Sequence, residues 1–385
     1  MTEFDFDSPT PQWLRARGTA RWQDVAEGVI PLWVAEMDFP VAPVIIDAIE
    51  GAVHRHAFGY PRDNGLRESW AAWLERRHGA TIDPAKVVYL KNVLTGVQLA
   101  IRTFTEPGSP VIVTSPAYMP FWEVPGLEHR PIIDVPMVDG PAGWTFDLAG
   151  IDAAFEQGAR SIILCQPYNP LGRVFTVDEL LALSEVVAAH DAFVISDEIH
   201  GPLVAEGVAT PYFTVSEEAA RHSVLVTSAS KSFNIPGLMT ATLTTFTDEH
   251  ARAWRKAVHP LEAEGATYLG LEANKAAYDE GGPWLDAANA YIHDNAVWLG
   301  QTLSRRLPEV GYRVPEGTYL GWLDLRSYAL PASPGPWLLR HARIRLNDGP
   351  TFGTGGEGHA RINLATPRHL LVEAVDRMVE AIEAR

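Results

Sequence analysis

Lys231 lies in a stretch, Thr227 to Gly237, whose composition suits covalent chemistry with a carbonyl compound. The apolar run Ser223 to Thr227 before it predicts a buried strand, and a lysine directly after such a strand can be held away from water. Loss of hydration lowers the pKa of an amine, and the uncharged amine can form a Schiff base. Ser228 and Ser230 place hydroxyl groups nearby that can donate to an anion. A solvated loop lysine is the alternative, because lysines are seldom buried.

Other predicted strands also end at distinctive side chains. In open parallel α/β sheets, ligands bind beyond the carboxyl ends of the strands. A helix start that can hold a phosphate, a flat aromatic ring, an amide, a carboxylate and a lysine together suit a phosphorylated pyridine aldehyde. The strands predicted at 87–90, 111–114, 161–165, 192–196 and 223–227 lead to Val93 and Leu94, Tyr118, Asn169, Asp197 with His200, and Lys231.

Taken singly, these residues have simpler interpretations. Tyr118 could be a core or rim aromatic, Asn169 a turn residue before proline, and Asp197 a helix cap. His200 could be an ordinary buried histidine. Asp197 and Glu198 are adjacent on an extended strand end, so their side chains point in opposite directions and are not expected to share a site. What indicates a binding site is that all these residue types occur at the ends of successive predicted strands.

A metal centre is not predicted. The histidines at 54 and 56 have no third ligand nearby, and no His-Glu-x-x-His motif occurs. Cys165 lies inside an apolar strand and is expected to belong to the core. As the chain's one cysteine, it excludes an internal disulfide framework and favours a reducing cytoplasm.

Composition bounds the class of protein. The 385 residues exceed what one ordinary core holds, which predicts two domains. A net charge of −17 argues against nucleic acid or an anionic membrane as a partner. The acidic start predicts no secretory signal, and no apolar run reaches the ~18 residues that a membrane span requires.

Alternating strands and helices predict an α/β fold, with a mostly parallel central sheet, helices on both faces and a smaller α+β domain. The predicted large domain covers residues 46–280. The small domain covers 281–385 and packs with an N-terminal segment, 1–45. Helix signals include a capping box at Thr176 and Glu179, Pro283 at the start of a long helix, and Thr366 and Pro367 at N-cap and N1 of the terminal helix.

These motifs resemble the fold-type I pyridoxal 5′-phosphate (PLP) enzymes of the aspartate aminotransferase superfamily, and within it the cystathionine β-lyase-like carbon–sulfur lyases. The resemblance covers essentially the whole chain. It depends on segments 33–39, 58–60, 115–118, 169–172, 196–200, 230–237, 318–324 and 360–363. The Met-Asp-Phe and Ser-Lys-Ser-Phe-Asn-Ile-Pro-Gly segments are the most specific to the lyase branch.

The resemblance implies roles for individual residues. Lys231 would bind PLP covalently and act as the base at the substrate Cα, while Asp197 would pair with the pyridine nitrogen. The other expected contacts are, for the ring, Asn169, His200 and Tyr118; for the phosphate, Val93, Leu94, Ser228, Ser230 and Tyr60 of a neighbouring subunit; and for the substrate, Arg361 and Ala35. A homodimer with active sites at the subunit interface is therefore expected, as is a small amino-acid substrate.

Departures from the superfamily pattern bear on the reaction. The general superfamily has an arginine eight residues after the lysine, where this chain has Met239, and carbon–sulfur lyases tend to lack that arginine. We therefore expect a β-lyase that cleaves cystathionine or a related cysteine S-conjugate to a thiol, pyruvate and ammonia. A PLP-dependent aminotransferase is the alternative, and a binding or regulatory protein is a third hypothesis.

Overall fold

The computed structural model describes residues 4–141 and 143–385. The strands are β1 (Ile30–Pro31), β2 (Val87–Leu90), β3 (Val111–Ser115), β4 (Ile132–Pro136), β5 (Val138–Gly140), β6 (Gly143–Thr145), β7 (Ser161–Cys165), β8 (Phe193–Asp197), β9 (Ser223–Thr227), β10 (Ala241–Thr245), β11 (Gly311–Tyr312), β12 (Leu320–Asp324), β13 (Ile344–Arg345), β14 (Asn347–Asp348) and β15 (His359–Asn363).

The helices lie between these strands. They are α1 (Pro11–Ala16), α2 (Ala20–Gln23), α3 (Pro43–His54), α4 (Leu66–His78), α5 (Val93–Phe104), α6 (Val124–Leu127), α7 (Leu148–Glu156), α8 (Val177–Ala189), α9 (Glu217–Arg221), α10 (Ala229–Ser232), α11 (Asp248–Ala257), α12 (Pro260–Ala263), α13 (Tyr268–Glu280), α14 (Gly282–Arg306), α15 (Pro334–Ala342) and α16 (Arg368–Glu383). Short 3₁₀ turns occur at Pro84–Lys86, Met119–Trp122, Tyr212–Thr214, Pro236–Leu238, Arg326–Tyr328 and Gly349–Phe352.

The larger sheet has seven strands in the order β2-β10-β9-β8-β7-β3-β4. Strands β4, β3, β7, β8 and β9 pair in parallel, whereas β10 is antiparallel to both β9 and β2. Strands β3, β7, β8 and β9 are buried along their whole length, as expected for apolar parallel strands covered on both faces. The predicted α/β architecture is confirmed. The sequence reasoning did not predict β4 or β10.

A second sheet has four antiparallel strands in the order β11-β12-β15-β14. Strand β1 pairs in parallel with β13, so the N-terminal segment adds to the C-terminal part of the chain. One apolar cluster includes Leu32, Met37 and Phe39 together with α14, β12 and α16. These contacts join residues of the N-terminal segment to the C-terminal part of the chain, and the predicted division into domains at residues 45 and 280 stays a prediction.

The helix signals agree with the structure except at the last helix. The Thr176–Glu179 capping box opens α8, and Pro283 lies in the first turn of α14. The last helix begins one residue later than predicted, because Pro367 is its N-cap. Thr366 is not the N-cap, and its hydroxyl donates to the Asp38 carboxylate at 2.8 Å. Among the described residues, no helix combines the length and apolar character needed to cross a membrane.

A buried ion pair fixes the N-terminal segment. Arg21 and Asp38 are each 1% exposed and lie 2.7 Å apart. The Asp38 carboxylate also accepts the indole N–H of Trp22 at 2.7 Å and the hydroxyl of Thr366. Breaking a buried pair by removing one partner leaves an uncompensated charge away from water. The carboxylate therefore ties α2, the extended segment before Pro40 and the start of α16 together.

Asp38→Ala should lower the free energy of unfolding by about 3–5 kcal/mol, because Arg21 would stay buried without its counter-ion. Urea denaturation followed by tryptophan fluorescence measures this change. The control is Glu217→Ala, which breaks the exposed pair with Arg221 and should cost at most about 1 kcal/mol. Equal denaturation midpoints for the two variants would contradict the role given to Asp38.

Candidate active site

The carboxyl ends of the parallel strands surround a cavity of about 220 Å³. Most of the residues predicted from the sequence line it, although they come from segments far apart in the chain. Tyr60 and Arg361 are the predicted site residues that do not line it. The lining residues are Ala35, Lys91, Asn92, Val93, Leu94, Tyr118, Cys165, Asn169, Asp197, Ile199, His200, Ser228, Ser230, Lys231, Pro236, Met239 and Thr240.

Lys231 lies on α10, directly after buried β9, and its ammonium group faces the cavity. Its Nζ donates to the Ala35 carbonyl oxygen at 2.8 Å. Burial and the nearby Arg361 cation lower the pKa of Lys231 to about 8, against the opposing effects of Glu36 and Asp197. The amine can therefore be uncharged in part of the molecules at a mildly alkaline pH.

Asp197, the last residue of β8, is 3% exposed. Its Oδ1 accepts the Ile199 amide at 3.1 Å. Burial raises the pKa of Asp197 to about 7, so the ionised carboxylate needs a cationic partner to be stable there. A protonated pyridine nitrogen would be such a partner.

Glu198 points away from the cavity, as the alternation of a strand predicts. Its carboxylate accepts the Ser196 hydroxyl at 2.7 Å and the Tyr212 amide at 2.9 Å. Burial raises the pKa of Glu198 to about 8. The two adjacent acids therefore do not form a pair for acid–base catalysis.

Arg361, on β15, is 2% exposed and lies at the edge of the site. Its guanidinium donates to Asn169 Oδ1 at 2.9 Å, to Asn347 Oδ1 at 2.7 Å and to the Trp33 carbonyl oxygen at 2.9 Å. Its Nε is buried without a hydrogen-bond partner in the described part of the chain. Burial lowers the pKa of Arg361 to about 10, which still leaves it charged at neutral pH. A buried cation with an unused donor fits a carboxylate ligand.

Two uncharged side chains complete this part of the cavity. Tyr118 meets Phe121 edge-on, with ring centroids 5.5 Å apart, and burial raises the pKa of Tyr118. Burial also lowers the pKa of His200 to about 3, so its imidazole is neutral. His200 lies edge-on to Tyr319 with centroids 5.9 Å apart. Both rings are therefore available as neutral contacts for a flat ligand.

The opposite part of the cavity is rich in hydrogen-bond donors. Val93 and Leu94 occupy the first turn of α5, where the amides of a helix lack internal acceptors. The Asn92 side chain caps this turn by accepting the Thr95 amide at 2.8 Å. The Ser228 hydroxyl donates to the Thr240 carbonyl oxygen at 2.6 Å, so its predicted contact with a phosphate requires that bond to be exchanged.

Ala35 and Tyr60 complete the predicted set. Ala35 lines the cavity, and its carbonyl oxygen accepts both Lys231 Nζ and the Tyr319 hydroxyl at 2.9 Å. Tyr60 is fully exposed and lies outside the cavity. The sequence reasoning missed Tyr319, which lies in the quoted segment 318–324.

The segment Trp33–Met37 is held by side chains instead of by a sheet. Each of its carbonyl oxygens accepts a hydrogen bond from a side chain of another segment. The donors are Arg361 to Trp33, Asn363 to Val34 and Glu36, Lys231 and Tyr319 to Ala35, Arg21 to Glu36, and Asn234 and Arg17 to Met37.

These features fit PLP better than a metal. The cavity supplies an amine of lowered pKa, a buried acid that needs a cation, a flat aromatic, and helix-start amides suited to a phosphate. In the described residues, no group of three or more histidine, cysteine, aspartate or glutamate side chains is arranged to hold a metal ion.

Comparison with known proteins agrees with this chemistry. The family described as aminotransferase class I and II matches residues 27–379. The chain belongs to this family. One curated relative, the cystathionine beta-lyase of Corynebacterium glutamicum, is 37% identical over 377 residues, covering 97% of this chain and 99% of the relative.

Two solved structures superpose closely on this chain. Cystalysin from Treponema denticola, which contains a PLP cofactor, gives a TM-score of 0.93 at 28% identity and covers 99% of both chains. The PLP-bound C–S lyase from Staphylococcus hominis gives 0.91 at 25% identity, covering 98% of this chain and 99% of its own. The predicted fold type is confirmed.

The rate at which the apoprotein binds pyridoxal phosphate covalently at Lys231 should rise with pH, with a midpoint near 8. An exposed lysine would show a midpoint about two units higher. Borohydride reduction at each pH, followed by peptide mass mapping, measures the modified fraction. Arg361→Gln should move the midpoint upward, since the arginine cation lowers the pKa of Lys231. A midpoint above about 10 in the wild type would contradict the burial argument.

Proposed function

We propose that this chain is a PLP-dependent carbon–sulfur β-lyase that cleaves cystathionine or a related cysteine S-conjugate to a thiol, pyruvate and ammonia. The observation that carries the proposal is the meeting of the Lys231 amine and the Asp197 carboxylate in one cavity, with Arg361 at its edge. The similarity to a cystathionine beta-lyase along nearly the whole chain supports the same conclusion.

When bound, PLP supplies an aldehyde that joins an amine as a Schiff base and a pyridine ring that draws electron density from the substrate Cα. Lys231 would hold the aldehyde carbon. Asp197 would keep the ring nitrogen protonated, and Asn169, His200 and Tyr118 would contact the ring. Val93, Leu94, Ser228 and Ser230 would hold the phosphate.

The residues of this chain divide the remaining tasks. Arg361 would bind the substrate α-carboxylate through its free Nε, and a bidentate contact would require one of its present hydrogen bonds to be exchanged. Ala35 would border the substrate. The uncharged amine of Lys231 would take the proton from Cα, helped by its lowered pKa. Loss of the β-thiolate and addition of water then give, for cystathionine, homocysteine, pyruvate and ammonia.

Met239 favours the lyase over the aminotransferase. It lines the cavity where the resemblance places an arginine in ordinary transaminases. An aminotransferase on the same residues stays the second candidate, because the family itself is described as aminotransferase class I and II. The full set of Lys231, Asp197, Asn169 and Arg361 argues against a purely regulatory role.

The purified protein should release pyruvate from L-cystathionine with no added keto acid. Lactate dehydrogenase coupled to NADH oxidation measures it, and 2-oxoglutarate added in parallel tests for transamination. Lys231→Ala should lack the visible absorbance of the covalently bound cofactor and should be inactive. Borohydride should attach the cofactor to the wild type and not to this variant at residue 231. Turnover that depends on a keto acid, with none from cystathionine or several other S-conjugates, would support the aminotransferase instead.

The proposal of an active site shared between two subunits draws on Tyr60, which is fully exposed in the single chain and which the family resemblance assigns to the phosphate of a neighbouring subunit. We propose a homodimer in which Tyr60 contacts the phosphate of the partner's cofactor. The single, buried Cys165 is consistent with a cytoplasmic location.

Mixing the Lys231→Ala and Tyr60→Ala variants after mild dissociation should restore activity that Lys231→Ala lacks and that exceeds the residual activity of Tyr60→Ala. In a hybrid dimer, one site would combine Lys231 from one subunit with Tyr60 from the other. Size-exclusion chromatography with light scattering checks the dimer. No gain on mixing verified hybrids would refute the role of Tyr60.

A further inference from the structure

Lys91 is a cation at the cavity that the assigned roles leave unused. It follows the last residue of β2 and lines the same cavity as Lys231. Among the described residues that line this cavity, Lys91 and Lys231 are the lysines or arginines. Because Lys231 is committed to the aldehyde, the phosphate dianion of the cofactor would have Lys91 as its remaining cationic neighbour.

Strand register places Lys91 beside the donors of the phosphate side. Leu90 lies opposite Ala241 in the β2–β10 ladder, so the next residues, Lys91 and Thr240, adjoin each other. Lys91 also directly precedes Asn92, the N-cap of α5. The backbone of Lys91 therefore lies next to the N-terminus of α5 and next to the turn that contains Met239.

The stem of Lys91 is held in place by a neighbouring glycine. Gly265 has a φ of +137°, and a Cβ added there would lie 2.8 Å from Lys91 Cβ and 3.4 Å from Lys91 Cδ. The absence of a side chain at 265 is thus what lets the lysine stem pack against the backbone.

The side chain of Lys91 is exposed, and its ammonium group has no competing partner among the described residues. Lys86, at the other end of β2, pairs with Asp248 at 2.9 Å. In contrast, Lys91 forms no ion pair or side-chain hydrogen bond with the described residues. Its charge is therefore available to an anion that enters the cavity, and it adds to the partial positive charge of the α5 N-terminus.

We propose that Lys91 is the counter-ion of the cofactor phosphate. This inference depends on the proposed function, since it assumes that PLP occupies the cavity. Lys91 thereby binds the phosphate group through its charge, while the Val93 and Leu94 amides set the direction of the phosphate oxygens.

The test compares PLP with pyridoxal, which lacks the phosphate, on apoprotein prepared with L-cysteine and dialysis. Lys91→Gln should weaken PLP binding about tenfold, as expected for losing one charge-assisted contact, and leave pyridoxal binding unchanged. Wild-type affinity for PLP should also fall more steeply with salt than that of the variant, because the contact is exposed. Absorbance titration measures both dissociation constants without relying on turnover.

Two further variants sharpen the result. Lys86→Gln removes the same charge about 16 Å along the strand and should leave PLP affinity unchanged. Met239→Arg, added to Lys91→Gln, should recover PLP affinity, because residue 239 adjoins the same part of the cavity.

Three outcomes would overturn the proposal. Lys91→Gln could bind PLP as tightly as wild type, or it could lose PLP and pyridoxal equally, which would show that its effect is not on the phosphate. If the variant instead changes only the KM for cystathionine, Lys91 serves the substrate. A wild-type protein that binds no PLP would refute the proposed function itself, and this result is distinguishable from the other three.

Discussion

The extended segment Trp33–Met37 is the constraint on which the arrangement of the site depends. Its carbonyl oxygens accept hydrogen bonds from Lys231 and Asn234 and from side chains of the second sheet. A buried carbonyl without a partner costs free energy, so these side chains cannot be displaced singly without loss. The segment thereby fixes Lys231, on α10, relative to Arg361, on β15 of the second sheet.

Burial then gives the fixed groups their chemical character. The same loss of hydration lowers the pKa of Lys231 and raises that of Asp197, because it disfavours the charged form of each. Glu198 and His200 are shifted by the same cause. In the proposed complex with PLP, the protonated pyridine nitrogen would favour the ionised form of Asp197, and the phosphate would meet the Lys91 cation.

The sequence predicted the parts of the site that obey a local rule. Tyr118, Asn169, Asp197 and Lys231 follow apolar strands, and parallel strands bring their carboxyl ends to one edge. Their predicted roles remain to be tested, but their meeting around one cavity follows from the fold.

Other features were beyond sequence reasoning because they depend on distant partners. Strand β10 returns antiparallel and brings Thr240 beside Lys91, and nothing in its own sequence sets that direction. The Asn347 amide meets Arg361, and Asn363 meets the backbone of Val34, without any motif that marks either contact. Thr366 was misplaced at the helix start because its hydroxyl bonds to Asp38, far away in sequence.

The hydrogen bonds that hold Trp33–Met37 also determine the order in which the site can form during synthesis of the chain. The Val34 carbonyl and the Asn363 amide that bonds it are 329 residues apart. At ribosomal rates of about 5–20 residues per second, roughly 16–66 s pass between synthesis of the segment Trp33–Met37 and synthesis of its last hydrogen-bond partners. Lys231 is translated well before Arg361 and Asn363, so in the nascent chain it is an ordinary hydrated lysine until the pocket that lowers its pKa has formed. Capture of the cofactor in its final geometry is therefore an event of the finished chain.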